Sequence, residues 1–290
     1  MKGFKEYLQQ KGLAKSTVNI YLCSTWPFLQ WLEGQGIEAG QTSYNDMLGY
    51  TRYCMDNGKS KRYMNNQLCA IRSYFEYLKQ ENKATINPAS SLIIRGVTKR
   101  VPHDLLSLEQ MEDIYNSLQG KKAIDKRNKV IIGLMVFQGL RLEEVEALEP
   151  VDIKLAEGKI CIRGTRRTNS RSLKLEARQA LEIQGYINRV RKRVLEIRKE
   201  NSEKLIVSLG KSEKLKNSIK RIFKNLKKKY PFLKTQEQIR QSVISLWLKT
   251  CDIRQVQYMA GHKYVSSTER YQDNNLEDLH EQLKIYHPVR

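Results

Sequence analysis

Residues 252–271 read Asp252-Ile-Arg-Gln-Val-Gln-Tyr-Met-Ala-Gly-His-Lys-Tyr-Val-Ser-Ser-Thr-Glu-Arg-Tyr271. Asp252 is a residue type that caps helix N-termini, and Gly261 is the type that ends a helix in the left-handed conformation. A short helix is therefore expected to stop before an imidazole, His262, and a phenol follows nine residues on at Tyr271. Ser266-x-x-Glu269 has the form of a capping box, so a further short helix carrying Tyr271 is expected there. Singly these residues mean little. A histidine after a glycine is most often a turn residue, and Tyr271 is one of 15 tyrosines.

Two upstream segments add cations. In Gly139-Leu-Arg-Leu-Glu-Glu144, Arg141 lies just past a helix-ending glycine, and Glu144 is one turn further, where it can accept from a guanidinium and orient it. Arg141 alone would read as a surface ion-pair partner among Glu143, Glu144 and Glu146. Thr235-x-x-Gln238 is another capping box, opening a helix to about residue 249, and Arg240 falls in its second turn. Cleaving a phosphodiester without a metal needs an activated nucleophile, cations on the non-bridging oxygens and a donor for the leaving oxygen. Two guanidinium groups can fork onto phosphate oxygens in fixed geometry. A phenol of pKa about 10 attacks poorly unless nearby cations lower that value.

In this order and spacing, the three segments resemble the tyrosine recombinase (phage-integrase, Xer-like) family. Its signature reads Gly-Leu-Arg-x-x-Glu, then His-x-x-Arg, then Leu-Gly-His, with a nucleophilic tyrosine nine residues later. The resemblance implies a mainly α protein with a small β-hairpin. A helical, SAM-like core-binding domain would precede an α+β catalytic domain, the two forming a C-shaped clamp on double-stranded DNA. It implies a site-specific recombinase or integrase that cleaves and rejoins DNA through a 3′-phosphotyrosine, with no cofactor, metal or ATP. Tyr271 would be the nucleophile, with Arg141, Arg240 and His262 on the phosphate and Glu144 beside them. The working form would be a homo-tetramer on two DNA sites, helped by accessory DNA-bending proteins, serving a mobile element. The tail after Tyr271 would dock on a neighbour through Leu276, Leu279 and Leu283.

Two departures from the family pattern bear on the chemistry. His-x-x-Arg reads Glu237-x-x-Arg240, so an acceptor replaces a donor. A carboxylate at a helix N-terminus is favourable in itself. The hairpin lysine that serves the family as general acid has no counterpart; Arg166 and Arg167 occupy that turn, and arginine hardly gives up a proton. These departures support a second reading, a catalytically silent DNA-binding relative. A general RNA- or ribosome-binding basic protein is a third.

The remainder of the chain fits a DNA partner. Its 290 residues carry 52 Lys and Arg against 31 Asp and Glu, a net charge of +21, which favours a polyanion. No apolar run is long enough to span a bilayer, and the first residues lack a signal-peptide core. The five cysteines are scattered, which argues against disulfides or zinc and for a cytoplasmic, nucleoid-associated protein.

Residues 1–86 read as a helical DNA-binding domain of about four helices. One helix is expected from Ser16 to Glu33, with Pro27 kinking or breaking it. Another starts at Ser43. Met64, Leu68, Ile71, Phe75 and Leu78 make one apolar face, opposite a basic face that includes Lys61, Arg62 and Arg72. Residues 87–104, with two prolines and Lys99-Arg100, read as a basic linker, and 105–290 as the catalytic domain with its tail. Ser107-x-x-Gln110 opens that domain. Residues 158–163 and 171–175 alternate as a hairpin, and 176–200 read as one long helix. Residues 211–229 form a basic amphipathic segment whose Lys220, Arg221 and Lys224 are candidate phosphate contacts, as are Lys61, Arg62, Arg72, Lys99 and Arg100.

Overall fold

The computed structural model describes residues 1–97, 104–199, 201–208 and 215–272. The expected Lys99 and Arg100 contacts and the leucine-striped tail lie outside them. The chain divides into two compact units, Met1–Lys99 and Arg100–Arg290.

The first unit holds helices α1 (Lys2–Gln10), α2 (Lys15–Gly34), α3 (Tyr44–Asp56) and α4 (Lys61–Gln80). The capping box at Ser43 forms: its hydroxyl accepts from the Asp46 amide at 3.2 Å, and the Asp46 carboxylate accepts from the Ser43 amide at 2.8 Å. The five apolar residues of α4 are all buried in one core with Phe28, Leu32, Met47 and Tyr50. Burial stabilises each by roughly 2 kcal/mol relative to exposure.

Two expectations fail in this unit. Ser16 does not cap α2, which starts after Ala14 and runs unbroken through Pro27. Proline removes the hydrogen bond to the carbonyl of Cys23 one turn back, but Cys23 is exposed and water can serve that oxygen. Burial of Val18, Phe28 and Leu32 on either side outweighs the loss. The start of the expected linker is also packed, because Ala89 and Leu92 join the core. Arg72 Nε donates to the Ala89 carbonyl at 2.9 Å, and Arg72 Nη2 donates to that of Leu92. Arg72, expected on DNA, is thus tied to its own chain.

The second unit runs α5 (Leu108–Asn116), α6 (Ala123–Gln138), α7 (Leu142–Ala147), β1 (Ile153–Lys154), β2 (Lys159–Ile162) and β3 (Arg171–Lys174). Then come α8 (Ala177–Gly185), a π-turn (Tyr186–Arg191), α9 (Lys192–Arg198), α10 (Lys216–Lys229), α11 (Gln236–Thr250), α12 (Ile253–Ala260) and α13 (Ser266–Glu269). The strands make an antiparallel sheet in the order β1-β2-β3, with Ile160 opposite both Ile153 and Leu173. The hairpin was expected; the two-residue β1 is too short to show alternation. Helix α6 is buried from Val130 to Val136 and forms the centre of this core. The predicted single helix over 176–200 contains the π-turn. There Tyr186 is buried and its hydroxyl accepts from the Val207 amide at 3.1 Å, while Arg191 Nε donates to the Lys204 carbonyl at 3.0 Å. The bulge directs both side chains at residues 201–208.

Candidate active site

Three helix ends set the site. Helix α6 stops at Gly139, whose φ of +58° is left-handed, and the chain turns at once into Arg141, the N-cap of α7. Helix α12, capped by Asp252 as expected, stops at Gly261 with φ +66°, and His262 follows. Any Cβ at Gly261 would lie 2.5 Å from Arg171 Nη1, so both conformation and space require glycine. Helix α11, capped by Thr235, carries Arg240 between the other two.

Arg240 is 2% exposed. Its Nη1 donates to the Gly139 carbonyl, and Nη2 donates to the Ala260 carbonyl at 2.7 Å. Nη2 also lies 3.4 Å from His262 Nε2. A guanidinium can only donate, so Nε2 is the acceptor and the imidazole proton sits on Nδ1, which meets Thr268 Oγ1 at 2.9 Å. Burial pushes His262 down to about 3, and the cations Arg240, Arg141, Arg270 and Arg171 push in the same direction. The imidazole is therefore neutral at pH 7. Burial, with repulsion from Arg141, lowers Arg240 to about 10, against the pull of Glu144.

Glu144 works differently from expectation. It accepts the Arg141 backbone amide at 2.9 Å, and its two oxygens take a fork from Arg171 at 2.8 and 3.0 Å. Arg240 Nη1 stands 3.9 Å away. Burial acts to raise this carboxyl, yet the Arg171 fork, the Arg141 amide and Arg240 more than offset it and hold it below the usual range. The Arg141 side chain is half-buried, and its guanidinium has no hydrogen-bond or ion-pair partner among the described residues.

Tyr271 is 1% exposed, beside Ile244, Val256 and Ala260. Its ring stacks on that of His262, with centroids 6.2 Å apart and planes at 14°. The expectation that α13 carries Tyr271 is corrected: α13 is capped by Val265 rather than Ser266 and ends at Glu269. The tyrosine sits in the turn beyond, where its amide donates to the Thr268 carbonyl at 3.0 Å. Arg270 Nη2 donates to the phenol oxygen at 3.0 Å.

Arg166 and Arg167 are exposed at the hairpin tip. The base of that tip reaches the histidine loop: Thr168 forms a β-bridge with His262, and the Asn169 amide donates to the Gly261 carbonyl at 3.0 Å. Glu237 is exposed in the first turn of α11. Lys220, Arg221 and Lys224 are exposed on α10. A groove of about 400 Å³ runs beside them, lined by Lys216, Lys220, Lys224, Lys227, Lys234 and Leu142, the last adjacent to Arg141. In the first unit, Lys61 and Arg62 are exposed at the start of α4.

The sequence reading missed Arg171, Thr268 and Arg270. A signal existed for Arg171. It shares the inward parity of β3 with Leu173, and a charged residue there needs a buried partner.

The phage integrase family pattern matches residues 104–278, and the N-terminal SAM-like domain of phage integrases matches residues 1–82. The chain belongs to the phage integrase family. Among curated relatives of this phage integrase family member are the tyrosine recombinase XerA of Thermococcus kodakarensis and XerC of Bacillus subtilis. The first is 26% identical over 95% of this chain and 91% of its own length. The second is 25% identical over 99% of this chain and 96% of its own length. Its fold is that of the XerH site-specific recombinase, solved bound to a palindromic difH substrate, with TM-score 0.71, 18% identity and coverage of 98% of this chain and 85% of that one. The Tn1549 transposon integrase in complex with transposon right end DNA gives TM-score 0.66 at 14% identity, covering 96% of this chain and 98% of that one. XerA and XerC are named tyrosine recombinases, and both family domains and the mainly helical fold agree with the expectation from sequence.

Proposed function

We propose that this chain is an active site-specific recombinase that cuts and reseals double-stranded DNA through Tyr271. The observation carrying the proposal is that Arg240, His262 and the Glu144–Arg171 pair, from four separate segments, meet within one unit beside the Tyr271 ring. Arg141, whose guanidinium has no partner among the described residues, and the unused N–H groups of Arg240 hold the non-bridging oxygens of the scissile phosphate. The phenol oxygen attacks phosphorus and the P–O5′ bond breaks. The phenol proton passes to water, and the 5′-oxygen takes a proton from water. Arg166 and Arg167 supply hydrogen bonds at the hairpin tip but keep their protons. The phosphotyrosine retains the energy of the phosphodiester, so resealing needs no nucleotide. Lys61, Arg62 and the α10 cations Lys220, Arg221 and Lys224 contact backbone phosphates. Recombination proceeds in a homo-tetramer on two sites, for integration or excision of a mobile element.

A suicide duplex with a nick beside the cleavage point tests this. Wild type accumulates covalent protein–DNA adduct and Tyr271→Phe forms none. Glu237 in the family's histidine position and the absent hairpin lysine favour the silent alternative; tight wild-type binding with no adduct would establish it.

A further inference from the structure

We propose that Arg270 is a catalytic residue that donates to the Tyr271 phenol oxygen throughout the attack and holds the negative charge developing there. This rests on the reading of Tyr271 as the nucleophile. Among the described residues, the Arg270 guanidinium is the only group hydrogen-bonded to that oxygen, at 3.0 Å. It also lies over the phenol ring, 5.0 Å from its centroid. A guanidinium never accepts, so the phenol oxygen receives this bond on a lone pair and its own proton stays available for removal. As charge builds on the oxygen, the bond becomes one between two ions and strengthens, which is the differential stabilisation that accelerates a reaction.

A structural role explains Arg270 poorly. Arg72, Arg191 and Arg240 each spend their donors on backbone carbonyls. Among the described residues Arg270 bonds no carbonyl, and its buried Nε has no partner. Its position in the chain matters as well. Arg240 is fixed to two helix ends, and Arg141 caps α7. Arg270 is the neighbour of Tyr271 and travels with it when the buried phenol moves to meet a phosphate. The covalent step is unchanged in its balance: the Tyr271 oxygen–phosphorus bond forms, P–O5′ breaks, water takes the phenol proton and supplies one to the 5′-oxygen, and Arg270 keeps its protons. Arg270 donates to the phenol oxygen, Arg240 interacts with the phenol electrostatically, and the neutral His262 ring stacks on it.

Single-turnover cleavage of the suicide duplex at saturating DNA is the test. Arg270→Gln slows cleavage about 100-fold and Arg270→Lys about tenfold, with DNA affinity and melting temperature at wild-type values. Replacing Tyr271 by 3-fluorotyrosine, a more acidic phenol, in the Arg270→Gln protein restores most of the rate. A 5′-bridging phosphorothiolate, whose leaving group needs no proton, restores none. Wild-type cleavage by Arg270→Gln overturns the proposal, as does rescue by the phosphorothiolate or a loss explained by weaker binding. A wild-type protein that forms no adduct overturns the reading of Tyr271 itself, and this inference falls with it.

Discussion

His262 faces two partners of opposite kind. Arg240 offers a proton donor to Nε2, and Thr268 takes the proton of Nδ1. The ordinary imidazole value is 6.5, and here it is about 3. Between those values the unfolded chain binds a proton that the folded chain refuses, so stability is complete above pH 6.5 and declines as pH falls towards 3. The effect is of order a few kcal/mol. The melting temperature of the second unit should fall on acidification from pH 7 to pH 4.5 more steeply in wild type than in His262→Gln. Parallel pH profiles for the two proteins would refute the buried neutral state.

Among elements, the junction of α7 with β3 is the most consequential. Arg171 has a fully buried side chain and Glu144 one 3% exposed. Removing one member of such a pair strands the other, at a cost of about 3–5 kcal/mol. Arg171→Met should therefore destabilise the second unit strongly in denaturant titrations. Arg171→Met with Glu144→Gln should recover much of the loss, because no lone charge then remains. If the double variant is as unstable as the single, the pair is not what Arg171 contributes. Elements were legible where a local signal exists. Ser43, Ser107, Thr235 and Asp252 all cap the helices that their side chains announce. The apolar residues of α4 and α10 are buried as their spacing requires. What failed was decided at a distance. Pro27 is tolerated because of what α2 packs on, and the Arg72 clamp on residues 89 and 92 joins positions that share no pattern. The roles of Glu144 and Arg171 depend on a contact spanning 27 residues, invisible to helical or strand periodicity.

For the molecule as a whole, charge is the governing quantity. The +21 excess is distributed over both units, with five lysines along the groove beside α10. Among the described residues, no helix is long and apolar enough to cross a membrane. Each phosphate neutralised releases condensed counterions, so the logarithm of the DNA-binding constant should fall linearly with the logarithm of salt concentration. Lys220→Gln and Lys224→Gln should each flatten that slope by about one and weaken binding evenly across sequences. Slopes equal to wild type would remove α10 from the DNA interface. At this scale the charge balance favoured a polyanionic partner, but composition alone did not separate that reading from a basic solvated surface. The order of Arg141, Arg240, His262 and Tyr271 supplied the family.

Arg240 has one further consequence. Its two donors fasten the C-terminal ends of α6 and α12, so it is a rivet as well as a proposed ligand for phosphate. An inactive Arg240 variant would thus conflate damaged architecture with damaged chemistry. Arg141, whose guanidinium has no hydrogen-bond or ion-pair partner among the described residues, is the position at which the proposed reaction can be probed without loosening those two helix ends.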